Sequence, residues 1–207
     1  MFSTAQRLAW NVGLETRHVL VSEDTDRLPI DAYYIKTQVL RVANGAAEDT
    51  HIDALIWAAV RACEDYIRPG FPGRAIAPQT WDFLLSGFPQ SGRIVLPIAP
   101  VIDVTSVQYY DEAGESQDLA VSPAGFAFVP SGSWTGAEIR PLPGEAFPAT
   151  ANRPDAVTIR FRAGYQDASA PALKALLVGI GLHVSETYAN RSGTPSFELE
   201  RFWGGPF

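Results

Sequence analysis

Apolar residues along the chain fall into helical-period stretches near both ends, separated by a long stretch of period two. In residues 50–67, Ile52, Leu55, Ile56, Ala59, Val60, Cys63, Tyr66 and Ile67 lay one wide apolar stripe along a helix. Thr50 suits its N-cap, Asp53 resembles the partner in a capping box, and Pro69-Gly70 ends the run. Residues 31–43 predict an earlier helix. Asp31 is its cap, Tyr34, Ile35, Gln38, Val39 and Val42 follow the spacing, and Asn44-Gly45 stops it. Residues 172–188 predict the last helix, with Pro171 at its first position and Leu173, Leu176, Leu177, Ile180, Val184 and Tyr188 on its apolar side. Gly179 and Gly181 weaken that helix by about 1 kcal/mol each relative to Ala, which points to close packing against another element.

Between these helices the pattern changes period. Trp81, Phe83 and Leu85 alternate with their neighbours, and so do Val157, Ile159 and Phe161. Residues 102–110 are rich in Val, Thr and Tyr and run into Asp111-Glu112-Ala113-Gly114, a hairpin loop with its return strand at 117–121. Residues 93–96, 126–129 and 137–142 are further strands, and 17–21 permits a short one. Pro97, Pro100, Pro130, Pro141, Pro143, Pro148 and Pro154 punctuate these runs, as expected at strand ends and edges.

The predicted fold is therefore α+β: a small helical bundle of three main helices with an inserted antiparallel β-subdomain and an extended C-terminal tail. The predicted division is an N-terminal extension (1–28), a helical bundle (29–75 and 164–190), a β-rich insertion (76–163) and a C-terminal arm (191–207).

Composition narrows the function. The 207 residues are 46% hydrophobic and 19% charged, so a core is within reach and disorder is not the default. A net charge of -7 lacks the basic footprint that grips a phosphate backbone, but suits a surface that DNA slides past. No apolar run approaches the span of a bilayer and no signal-like core opens the chain, so a cytosol-like compartment and no membrane are expected. The lone Cys63 lies in a helical stripe and reads as a small buried hydrophobe.

Chemistry-bearing patterns are missing. His18, His51 and His183 have no metal-ligand spacing, and no GxSxG nucleophile elbow is present. Gly179-Ile180-Gly181 falls in mid-helix, where a phosphate loop is not expected. The acidic turn at 22–26 lacks the glycine and terminal glutamate of a calcium loop. No catalytic activity, no metal and no cofactor are expected.

Four stretches, in order, carry a resemblance. They are Thr50 to Ile56 leading to Ala62 to Ile67; Ala77-Pro78-Gln79-Thr80-Trp81; Ile94 to Pro97 through Pro100 to Val107; and Pro154 to Tyr165 followed by Pro171 and the final helix. In that order and spacing, residues 29–190 resemble the head–tail connector, or adaptor, proteins of long-tailed phages and gene transfer agent particles. The resemblance implies a structural protein whose copies, commonly twelve, form a ring beneath the portal. It joins the head to a stopper or tail-completion component, and DNA passes through without specific binding. It implies a place at the virion head–tail interface, reached from the host cytoplasm during assembly.

The tail supplies the candidate interface. Gly193, Pro195, Gly204, Gly205 and Pro206 oppose regular structure, yet Phe197, Leu199, Phe202, Trp203 and Phe207 are apolar anchors beside Arg201. Aromatic residues and Arg dominate binding hot spots, and the resemblance implies the portal as their partner. Two other readings differ in what they require. Another tail-completion part, a stopper or terminator, and a β-rich ligand-binding module both call for a dominant β-core, and the three amphipathic helices count against them.

Overall fold

The computed structural model describes residues 14–24, 30–42, 45, 48–67, 73–120, 126–130, 137–166 and 171–190. The alternating segments form the larger part. Strands β1 (Thr16–Glu23), β3 (Gln79–Leu85), β6 (Val101–Tyr110), β7 (Ser116–Leu119) and β10 (Val157–Ala163) make a five-stranded antiparallel sheet in the order β1-β3-β10-β6-β7. The period of two dictates its faces. Trp81, Phe83 and Leu85 of β3 register with Phe161, Ile159 and Val157 of β10, and all six are buried. Their alternates Asp82, Arg160 and Arg162 turn to the other face. A second sheet, ordered β4 (Ile94–Val95), β9 (Glu138–Pro141), β8 (Phe126–Val129), brings Ile94, Ile139 and Phe126 into the same core. The short strands β2 (Gly73–Arg74) and β5 (Ile98–Ala99) pair in parallel.

The helices form a separate layer with its own core. Helix α2 (Asp49–Ile67) offers Ile52, Ile56, Ala59, Val60 and Cys63, and α3 (Pro171–Ala189) offers Leu173, Ile180 and Val184. Asp31 caps α1 (Ala32–Tyr34) by accepting a hydrogen bond from the Tyr34 N–H at 2.7 Å, as its sequence position suggested. Helix α2 starts at Asp49, one residue before the expected cap, so Thr50 lies within its first turn. Gly181 meets the expectation of close packing: a Cβ there would lie 3.2 Å from Val39 Cγ2.

The expected helical bundle with a β-insertion is not what forms. Among the described residues the fold is a β-rich α+β arrangement of three sheets, of five, two and three strands. Two physical causes account for the difference. The first predicted helix makes only the three residues of α1 before widening into a π-helical segment, Ile35–Leu40, which ends at Arg41 in the left-handed region (φ 55). That segment buries Lys36 beside the Gly45 carbonyl and the partly exposed Asp49, a pairing made where a bundle helix would continue. The second cause is β1. It pairs along β3 from Thr16↔Leu85 to Glu23↔Gln79, so the sheet takes strands from both sides of the helical segments.

The two cores meet at residues 75–78. Ala75 belongs to the sheet core and Ile76, its neighbour, to the helical core. From α2, the fully buried Glu64 carboxylate accepts the Ile76 N–H at 2.7 Å and the Ala77 N–H at 3.2 Å. It also accepts Gln79 Nε2 at 2.9 Å and Arg61 Nη1 at 3.2 Å. Gln79 in turn reaches Glu23 of β1 and accepts the Trp81 indole N–H at 3.1 Å. One carboxylate thus ties α2 to the entry of β3. Satisfying it at every side is what makes its burial tolerable.

Candidate functional site

The side chains that carry chemistry stay apart. His18 lies on β1 with its ring 5.6 Å from Trp81, His51 lies on α2 with its ring 6.4 Å from Tyr188, and His183 lies on α3. Among the described residues, no group of three or more His, Cys, Asp or Glu side chains could hold a metal ion. Burial pushes the Cys63 thiol up to about 12, with the neighbouring Glu64 charge adding to the effect, so it stays protonated at neutral pH. A shallow open hollow between β1 and the loop before β10 is lined by Glu15, Thr16, Arg17, Pro154 and Asp155. The Arg17–Asp155 ion pair, at 2.6 Å, spans it. No helix among the described residues is long and apolar enough to cross a membrane.

What the fold does present is surface of contrasting kinds. The outer face of the large sheet is a ladder of ion pairs. Arg160 donates to both oxygens of Asp82 at 2.8 Å, and Arg162 forks onto Asp103 across β10 and β6. These charges satisfy one another within the subunit. The β6–β7 hairpin carries an acidic tip. There Asp111 accepts Gln117 Nε2 at 2.9 Å and the Ala113 and Glu115 N–H groups at 3.0 Å. The Gln117 hydrogen bond first, then the backbone donors, hold the Asp111 carboxyl below its ordinary range. That fixes the loop in shape.

The helical layer differs. Val178 and Leu182 of α3 and Tyr33 and Tyr34 of α1 are large apolar or aromatic side chains left exposed. Sequence reading placed the interface on Phe197, Leu199, Arg201, Phe202, Trp203 and Phe207, all of which lie outside the described residues. It did not single out Val178 and Leu182. The signal was nevertheless present, since α3 is apolar on the side facing away from Leu173, Ile180 and Val184 as well.

No protein-family model and no curated protein matches the chain. Solved structures do. One chain from the neck of an empty gene transfer agent particle, computed with C6 symmetry, aligns at TM-score 0.63 and 23% identity, over 91% of this chain and 94% of that one. A chain from the virion of a native gene transfer agent particle aligns at 0.62 and 26% identity, over 89% of each. A chain from the neck of a native particle, computed with C12 symmetry, aligns at 0.59 and 24% identity, over 91% and 94%. This chain has the fold of a neck component of gene transfer agent particles, in agreement with its resemblance to the phage head–tail connector family.

Proposed function

We propose that this chain is a structural head–tail adaptor. Twelve copies form a ring in the neck of a tailed-phage-like particle, between the portal and the stopper or tail-completion component. DNA passes through without specific binding. The observation that carries this reading is the shared fold over about nine-tenths of both chains with components of a particle neck, which outweighs the β-rich core that a stopper, a terminator or a ligand-binding module would equally show. The net charge of -7 supports it, because a channel that DNA must traverse works best when it repels the phosphates. Copies assemble on the portal, or at high concentration, from subunits made in the host cytoplasm. Electron microscopy of the full chain with the portal of its own particle tests the reading. A coaxial ring of copies is expected, and a closed two-fold dimer contradicts it.

Within this reading the segment 191–207 is the arm that engages the portal, with Arg201, Phe202 and Trp203 as its anchors and Phe197, Leu199 and Phe207 beside them. It follows α3 directly, and apolar anchors spaced by Gly and Pro suit folding coupled to binding. Deleting 191–207 is expected to abolish portal binding while leaving the midpoint of thermal unfolding unchanged. A large fall in that midpoint would instead assign the segment to the subunit's own core.

A further inference from the structure

We infer that adjacent copies in the ring are joined helix to helix, the outward seam of α3 on one copy seated on the outward face of α2 on the next. The inference rests on the ring reading and adds the surface that closes the ring. Leu173, Ile180 and Val184 turn α3 toward the shared core. Ala175, Val178, Leu182, Ser185 and Ala189 recur at i, i+3, i+7, i+10 and i+14, the spacing of a heptad seam. At about 3.6 residues per turn this seam lies on the far side of the helix from the core residues. Val178 is 58% and Leu182 44% exposed, and Ala175 and Ala189 are exposed as well. A helix that is apolar on both sides is made to be packed on both sides.

The receiving surface has to be a different one. A contact of α3 with α3 is two-fold and closes at a dimer, whereas a ring needs two unlike patches on each copy. The outward face of α2 has the matching spacing in His51, Ala54, Ala58, Arg61 and Asp65. Arg61 is held by Glu23 and Glu64, which leaves the small, exposed side chains of Ala54 and Ala58 at the centre of that face. Large side chains such as Val178 and Leu182 pack as ridges over small residues of a facing helix. Charge matches too. Lys174, exposed one turn before Val178, is the sole Lys or Arg of α3, while α2 displays Asp53 and Asp65 at its surface. The α2 and α3 seams lie on the far sides of their helices from the common core, so the contact can repeat from copy to copy.

Site-directed cross-linking of the full chain tests this, both on the portal ring and in concentrated solution with native mass spectrometry in parallel. The buried Cys63 does not compete. The double variant Ala58→Cys, Val178→Cys is expected to give a ladder of covalent multimers on mild oxidation. An equimolar mixture of the two single variants should give only dimers, and each single variant alone none. Adding Leu182→Asp to the double variant is expected to abolish the ladder with an unchanged circular dichroism spectrum. Rings that form without a 58–178 cross-link overturn this contact and leave the ring reading standing. A 178–178 dimer, or a chain that stays monomeric on the portal and in solution, overturns both.

Discussion

Glu64→Ala is expected to lower the stability of the chain by about 3–5 kcal/mol, measured by urea unfolding, because it strands several buried donors at once. The Ile76 and Ala77 N–H groups, Gln79 Nε2 and Arg61 all donate to this one carboxylate, and Glu64 itself is fully buried. Arg61 retains Glu23, and Gln79 retains both Glu23 and Trp81, so the backbone N–H groups bear most of the loss. Glu64→Gln keeps the shape and an acceptor oxygen but removes the charge and introduces donors facing donors. Its expected loss is smaller, about 1–3 kcal/mol. A loss under about 1 kcal/mol for Glu64→Ala would show that water replaces the carboxylate and that the joint between the two cores does not depend on it.

Gly164→Ala acts on the same joint from the opposite side. Gly164 follows β10 directly at φ +120, a conformation that L side chains rarely adopt. A Cβ there would lie 2.3 Å from the Ala77 carbonyl oxygen and 2.9 Å from Pro78 Cα, both backbone atoms that cannot swing aside. The chain is also held on either side, by the Gly164 N–H to Pro100 O at 2.8 Å and the Tyr165 N–H to Ile76 O at 3.1 Å. Strain and overpacking together predict a loss of about 3–5 kcal/mol. Gly114→Ala is the control. It has positive φ but nothing within 4 Å of its Cβ, so conformational strain alone applies and the loss should be clearly smaller. Equal losses at the two glycines would remove the close approach as the cause.

The strands were legible because their signal is local. The alternation of Trp81, Phe83 and Leu85, the β-branched run ending at Tyr110, and the Asp111 to Gly114 turn each specify a strand or hairpin without outside help. The stripes of α2 and α3 were legible for the same reason. The hierarchy between these parts was not, since it depends on pairing at long range. Nothing in the sequence of β1 announces Thr80 and Leu85 as its partners, yet that pairing extends the large sheet at one edge. The widening of the helix at Ile35–Leu40 was hidden too, because its apolar spacing suits an α-helix and the contact of the buried Lys36 with Asp49 exists only in the folded chain. In sequence nothing separates Glu64 from its neighbour Asp65, which is exposed. Only the fold brings the 76–77 backbone and Gln79 to Glu64. The outward seam of α3 was masked by the inward one, as a continuous apolar run shows a single stripe to a periodicity search.

A closed ring in a particle neck is what this chain is proposed to build. Its most direct test is electron microscopy of the full-length chain bound to the portal of its own particle, with copy number counted from the averaged end-on views. A closed, coaxial ring whose copies repeat by rotation about the portal axis is expected, and that ring should be lost on Leu182→Asp. Isolated subunits bound at the portal without touching one another, or a two-fold dimer attached there, would contradict it.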